Sequence, residues 1–226
     1  HPFAHYMAWS NASPTPFSAY VSADPFWGMT LSPERFFSIQ KGIIHTQPIK
    51  GTTSRGINGQ EDLVKAQTLV NSEKNKAENL MIVDLLRNDL SKNCRLGSVK
   101  TPELFKLESF ENVHHLVSMV TGVIKGATSP LTLLKDCFPG GSITGAPKKR
   151  VMEIIDELEI CKRSVYCGSI GYISTNGMMD TNIAIRTLLS DDNKIHCWGG
   201  GGIVADSDAE DEYQEILDKV GLLLEY

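Results

Sequence analysis

The sequence has no C-x-x-C pair. Its five cysteines, Cys94, Cys137, Cys161, Cys167 and Cys197, are odd in number and widely spaced. That excludes a zinc ribbon and supplies no disulfide framework, and it fits reduced thiols in a cytoplasmic protein. No apolar run approaches the roughly 18 residues of a membrane span, so no membrane partner is expected. Basic charge is also scarce. The net charge is −5, and Lys148-Lys149-Arg150 is the one basic cluster that stands out, so a nucleic-acid partner is not expected. The start, His1-Pro2-Phe3-Ala4-His5-Tyr6-Met7, lacks the basic region and apolar core of a signal peptide. It also lacks an initiator Met, and we expect the chain to be a fragment. Repeats and low-complexity segments are missing too. With 22% charged and 41% hydrophobic residues over 226 positions, the chain can bury a sizeable core.

Strand and helix signals come in blocks, and the first 60 residues read as strands and turns. Phe17–Val21, Phe36–Ile39 and Ile43–Thr46 are short aromatic or β-branched runs, punctuated by Asp24-Pro25 and Gln40-Lys41-Gly42. Gly51 to Gly59 reads as a polar loop. Helical spacing of Leu63, Ala66, Leu69 and Val70, then of Leu80, Ile82, Val83 and Leu86, predicts two helices between Glu61 and Asn88, broken at Asn71-Ser72. Val113–Val123 is strand-like, and Leu131–Cys137 is helical until Pro139-Gly140-Gly141-Ser142 stops it. Pro147–Leu158 has an apolar face of Val151, Ile154, Ile155 and Leu158, with Pro147 near the first turn. Gly168–Ser174, Met179–Leu189 and Lys194–Trp198 read as three successive strands. A final helix from about Asp208 to Leu224 follows Gly199-Gly200-Gly201-Gly202, with Ser207-Asp208-Ala209-Glu210 as a capping box. Strands and helices in blocks favour an α+β fold with antiparallel sheet.

Several groups of residues could carry chemistry. On the final helix Asp208, Asp211, Glu212 and Glu215 share one stripe, with Lys219 further along it. The stripe is either a solvated acidic face or a source of ligands for a hard divalent cation, which would need another carboxylate from elsewhere. Glu78 can supply it, or can be an ordinary exposed helical acid. Gly140-Gly141-Ser142-Ile143-Thr144-Gly145-Ala146-Pro147-Lys148 has a P-loop outline but fails it: Ala146 stands where the lysine belongs, and no Ser or Thr follows Lys148. Both glycine runs still present backbone N–H groups before a helix, a cradle for an anion. Lys50, between Ile49 and Gly51, is either a loop lysine or a partly desolvated amine able to act as a nucleophile. Glu34 is either an exposed strand acid or a proton donor. His114 and His115 are adjacent on a strand and face opposite sides, so at most one enters a given site.

Taken together in their order, the motifs Pro48-Ile49-Lys50-Gly51-Thr52, Glu78-Asn79-Leu80-Met81-Ile82-Val83-Asp84-Leu85-Leu86-Arg87-Asn88-Asp89, Val113-His114-His115-Leu116-Val117-Ser118, Phe138–Lys148 and Gly200-Gly201-Gly202-Ile203-Val204-Ala205-Asp206-Ser207 closely resemble the chorismate-utilising enzymes, and most closely their branch that aminates chorismate at C4. The resemblance runs from about Pro16 to the C-terminus.

It implies an antiparallel β-sheet sandwich with helices packed outside, of which residues 1–226 form the catalytic portion, the N-terminal part of the family fold lying outside this sequence. It implies a Mg²⁺ site of Glu78 and Glu215 with Glu212 close by, binding the ring carboxylate of chorismate with help from the amides of Gly200, Gly201 and Gly202. Arg186 and Tyr172 match residues that grip the enolpyruvyl group. Ser142 and Thr144 lie in a substrate-contacting loop. Thr52 and Lys219 are counted with the substrate-binding residues, and His115 matches an active-site histidine. Lys50 matches the lysine thought to attack C2, where anthranilate synthases typically carry Ala, and Glu34 matches the acid that protonates the departing C4 hydroxyl. A glutamine amidotransferase subunit or domain would supply ammonia, and the product would serve 4-aminobenzoate and folate synthesis. Two other readings compete: an anthranilate synthase component, and a truncated domain that binds without turnover.

Overall fold

The computed structural model describes residues 1–126, 128–191, 194–205 and 207–224, the side chain of Leu222 excepted. In chain order the elements are α1 (Pro2–Ala12), β1 (Phe17–Ala23), β2 (Phe26–Ser32), β3 (Arg35–Gln40), β4 (Ile43–Thr46), β5 (Ile49–Ser54), α2 (Gly59–Asn71), α3 (Glu73–Asn93), β6 (Lys100–Ser109), β7 (Val113–Val123), α4 (Pro130–Cys137), α5 (Lys148–Leu158), β8 (Gly171–Ile173), β9 (Met179–Asn182), β10 (Thr187–Asp191), β11 (Lys194–Cys197) and α6 (Ala209–Leu224). A 3-10 turn, Gly141–Ile143, lies between α4 and α5. Helices and antiparallel strands mix as the α+β expectation requires. The chain divides into two compact units. One comprises His1–Glu34, Glu159–Gly171 and Thr181–Tyr226, and the other Arg35–Leu158 with Tyr172–Asp180.

The second unit is organised by β7. One edge of this strand pairs with β6. The other takes β4 and then β5 in succession, with Thr46 opposite Val120 and Ile49 opposite Val117. β4 also pairs with β3, and β9 and β8 complete the sheet. Against the sheet lies α3, whose buried residues Asn79, Ile82, Val83, Leu86, Asp89, Leu90 and Asn93 repeat at helical spacing. Each buried Ile, Val or Leu of that stripe contributes about 1.5–3 kcal/mol. One polar knot fixes the helix lengthwise. The fully buried Asn79 donates to the Leu116 carbonyl (3.2 Å) and accepts from Ser118 Oγ (2.6 Å). The predicted break between the helices is real: Ser72 ends α2 and caps α3, its Oγ accepting from Asn75 N.

In the first unit the sheet order is β1-β2-β10-β11. Trp9 of α1, Met29, Leu31, Leu188 and Leu223 of α6 make its core.

Several sequence expectations are corrected. The first sixty residues are not all strand and turn, because Pro2–Ala12 is helical. Gly51–Gly59 is not wholly loop: β5 runs to Ser54, held by pairing of Thr52, Thr53 and Ser54 with His115, His114 and Val113. The segment Met179–Leu189 is two strands rather than one, interrupted where Arg186 adopts φ 48°, a left-handed conformation that ends an extended run. Helix α6 is capped by Asp208, whose Oδ1 accepts from the amides of Glu210 and Asp211, and not by Ser207, whose hydroxyl is engaged by Glu212 Oε1 (2.6 Å) and Val204 N (3.0 Å). Helix α5 forms as expected, but none of its residues is buried, and Leu158 is exposed.

Candidate functional site

In the second unit the candidate residues lie on adjoining elements. The pairing of β5 with β7 slips between Ile49 and Thr52: three steps along β5 match two along β7. This is a bulge, and Lys50 and Gly51 occupy it. Gly51 has φ +86°, and a Cβ there would come within 2.9 Å of Asn75 Cγ and Leu69 Cδ1. The bulge therefore requires glycine and is pressed against the end of α2 and the start of α3. Lys50, half-buried, donates from Nζ to the Ser142 carbonyl at 3.3 Å. The loop bearing Ser142 is fixed in turn. Gly141 sits so close to Leu85 of α3 that a Cβ would meet Cδ2 at 2.7 Å, and Thr144 Oγ1 donates to the Gly140 carbonyl (2.8 Å).

Thr52 Oγ1 and His115 Nδ1 share a hydrogen bond of 2.8 Å across the β5–β7 pair. His114 points the other way, is buried, and bonds Asp62 (3.0 Å) and Ser109 (2.8 Å). The alternation expected of the two histidines holds. Glu78 stands one helical turn after Asn75, the residue against the bulge, and directly before the anchored Asn79. Its carboxylate has no hydrogen-bond or ion-pair partner among the described residues. Lys148, which gives the loop its P-loop outline, is bound to Asp89 (2.6 Å) and to the Cys137 carbonyl (2.9 Å), so it is not available to a phosphate. The Tyr172 side chain is 60% exposed.

In the first unit the glycine run threads between side chains of α6 and Tyr166. A Cβ at Gly199 would meet Val220 and Ile216 at 2.8 and 2.9 Å, one at Gly200 the Tyr166 hydroxyl at 2.9 Å, and one at Gly201 Glu212 Oε2 at 2.8 Å. Lys219 Nζ donates to the Gly200 carbonyl (3.2 Å) and pairs with Glu215. Glu212 is buried, and its Oε2 has no hydrogen-bond partner. Such an atom costs free energy unless a cation or donor meets it. Glu215, one turn on and paired with Lys219, would add a second carboxylate, and an all-oxygen donor set of that kind would suit a hard divalent ion. Among the described residues no three His, Cys, Asp or Glu side chains gather into a metal cluster. A cation held here would complete its shell with water or ligand oxygens.

Glu34 and Arg186 lie along one stretch of backbone bonding in this unit. Leu31 N donates to the Arg186 carbonyl (3.0 Å) and Ile183 N to the Glu34 carbonyl (3.0 Å), while Ser32 Oγ donates to Ile183 O (2.6 Å). Glu34 is buried. The Arg186 guanidinium is half-buried, burial lowers its pKa, and it has no hydrogen-bonding or anionic partner among the described residues. A desolvated cation without a counter-charge is a receptor for an anion.

A sequence profile described as chorismate binding enzyme matches residues 1–225. The chain belongs to the chorismate-binding enzyme family. It is 53% identical over 215 residues to aminodeoxychorismate synthase component 1 of Salmonella typhimurium, covering 95% of this chain and 47% of that protein. It is 42% identical over 218 residues to anthranilate synthase component 1 of Pseudomonas aeruginosa, covering 96% and 44%. The crystal structure of anthranilate synthase component I from Streptococcus pneumoniae superposes with a TM-score of 0.89 at 36% identity, covering 98% of this chain and 49% of that one. The chain thus spans about half the length of the relatives it matches. No helix among the described residues is long and apolar enough to cross a membrane.

The sequence motifs missed the network of Arg55, Asp62, Ser109 and His114. Its members come from four separate segments, and no spacing rule connects them.

Proposed function

We propose that this chain is the catalytic portion of a chorismate aminase that replaces the C4 hydroxyl with an amino group, giving 4-amino-4-deoxychorismate for 4-aminobenzoate and folate synthesis. The observation that carries the reading is the setting of Lys50, whose amine is lifted out of the β5–β7 ladder by a bulge and held against the Ser142 carbonyl. A nucleophile needs such a fixed, re-aimed position. The greater identity to an aminodeoxychorismate synthase component than to an anthranilate synthase component supports the same choice.

The neutral Lys50 amine attacks C2 of the ring. The two ring double bonds shift, and the C4 hydroxyl leaves as water with a proton from Glu34, because hydroxide alone is a poor leaving group. Ammonia, delivered by a separate glutamine amidotransferase, adds at C4. The double bonds shift back, the Lys50 amine is released, and the proton lost by the new ammonium returns to Glu34. Arg186 holds an anionic substituent, and the N–H groups of Gly200, Gly201 and Gly202 hold a carboxylate. Thr52, His115, Ser142, Thr144, Tyr172 and Lys219 complete the substrate contacts. Glu212 and Glu215 would hold Mg²⁺, whose charge would offset that of the ring carboxylate, and Glu78 is the further carboxylate that the family resemblance assigns to the ion.

The test is product identity after incubating the protein with chorismate, Mg²⁺ and ammonium. A non-aromatic 4-amino compound supports the reading. Fluorescent anthranilate would place the chain with the 2-aminating enzymes, and unchanged chorismate would make it a binding domain.

A further inference from the structure

The bulge that carries Lys50 is one residue of slack in β5, and something must decide where that slack falls. Upstream, Ile49 pairs with Val117, and Ser118 N donates to the Pro48 carbonyl (3.2 Å). Downstream, Thr52, Thr53 and Ser54 pair in regular order with His115, His114 and Val113. The downstream end is tied by a charged network. Arg55 grips Asp62 through Nε and Nη2, both at 2.8 Å, and sends Nη1 to the Phe110 carbonyl (2.7 Å). Asp62 Oδ1 also accepts from Gly56 N (2.8 Å) and from His114 Nε2 (3.0 Å). His114 Nδ1 meets Ser109 Oγ at 2.8 Å. Four elements are joined at one point: the end of β5, the start of α2, β6 and β7.

We propose that Asp62, Arg55 and His114 are positioning residues that lock the register of β5 on β7, confining the extra residue to Lys50-Gly51 and setting Thr52 beside His115. The inference concerns the site assigned above and rests on that reading for its catalytic meaning. Asp62 is a carboxylate, since the Arg55 guanidinium and the Gly56 amide hold its pKa well below the usual range. It accepts only, so His114 carries its proton on Nε2, and Nδ1 receives the Ser109 hydroxyl when the ring is neutral. A one-residue slip of β7 would turn His114 outward and His115 inward, leaving the Asp62–Arg55 pair without the histidine and moving the slack away from Lys50.

The test compares His114→Gln, which keeps a donor where Nε2 lies, with His114→Asn and His114→Leu, which do not. Two readouts are used: the imidazole nitrogen resonances of His115, and mass-spectrometric mapping of Lys50 acetylation by acetic anhydride relative to Lys41, which is exposed in the turn between β3 and β4. The lock requires both to change in the Asn and Leu variants, with Lys50 labelling shifted at least threefold, and to return toward wild type in the Gln variant. In chorismate turnover, kcat falls at least tenfold for Leu with KM little changed. Asp62→Asn, which keeps the volume, gives the same signature should the Leu variant fail to fold. His115 resonances and Lys50 labelling that stay at wild-type values in folded Leu and Asn variants overturn the lock, whether or not the protein turns over chorismate.

Discussion

Lys50 Nζ donates to the backbone carbonyl of Ser142 at 3.3 Å. This bond joins the bulged strand to the glycine loop after α4, two segments nearly a hundred residues apart in sequence. A carbonyl takes one hydrogen of the amine and leaves the nitrogen lone pair of the neutral form free. Lys50→Ala removes the proposed nucleophile and its hydrogen bond to the Ser142 carbonyl, and leaves the backbone pairing of β5 with β7 in place. Single-turnover amination should fall by roughly three orders of magnitude or more, while chorismate affinity measured by calorimetry stays within a few-fold of wild type. Wild-type rates in the variant would exclude Lys50 from the chemistry.

Gly51→Ala tests the bulge itself. A left-handed alanine costs about 1–3 kcal/mol, and its Cβ would press on Asn75 and Leu69. Urea denaturation should show a loss of at least that size. A variant as stable as wild type would mean that the bulge relaxes freely and does not hold Lys50.

What could be read from the sequence follows the strength of local patterns. β7 and α4 stand at or next to their expected bounds because their apolar runs are uniform, whereas α3 continues five residues past Asn88, where its buried face turns polar at Asp89 and Asn93. α1 escaped because its apolar residues are not segregated to one face: Phe3, Ala4, Tyr6, Met7, Ala8 and Trp9 crowd all round it. β6 escaped because Lys100, Pro102, Glu103, Lys106 and Glu108 give it the polar composition of a strand paired along a single neighbour. The candidate site residues were legible as motifs. The bulge, the histidine network and the buried, unpaired oxygen of Glu212 were not, since each depends on backbone register or on contacts between distant segments.

Glu212 offers a second test. Its Oε2 is buried and unpaired, so Glu212→Gln should cost the metal-free protein little stability, or even raise it, by removing a buried charge. Mg²⁺ at about 100 times its dissociation constant should raise the wild-type Tm by roughly 5–10 °C. The variant should lose most of that shift. A full Mg²⁺ shift in the variant would remove Glu212 from the cation site.

Thiol chemistry should separate the cysteines. Burial pushes the Cys137 thiol up to about 12 and the Cys167 thiol up to about 11, and it raises Cys94 and Cys197 as well. Cys161 is exposed. At pH 8 iodoacetamide should alkylate Cys161 far faster than the rest in the native protein, and all five after unfolding. Fast labelling of Cys137 in the native state would contradict the packing around α4.

Acid stability should report Asp62. Its pKa is lowered in the folded chain, first by the Arg55 hydrogen bonds, so its contribution is fully present above the unfolded value near pH ~4 and is lost as pH falls through the folded value. The stability advantage of wild type over Asp62→Asn should therefore hold from neutral pH to about pH 4–5 and shrink below it. An advantage independent of pH down to the acid transition would show that the charge of Asp62 does not matter.

The central claim is that the amine of residue 50 bonds to the substrate ring. Intact-mass spectrometry after brief exposure to chorismate and Mg²⁺ without ammonia reads this directly. The account predicts a mass increase of chorismate less one water, mapped by peptide digestion to Lys50 and cleared when ammonium is added. Amination that proceeds at full rate with no adduct at any time, and that survives Lys50→Ala, would contradict it.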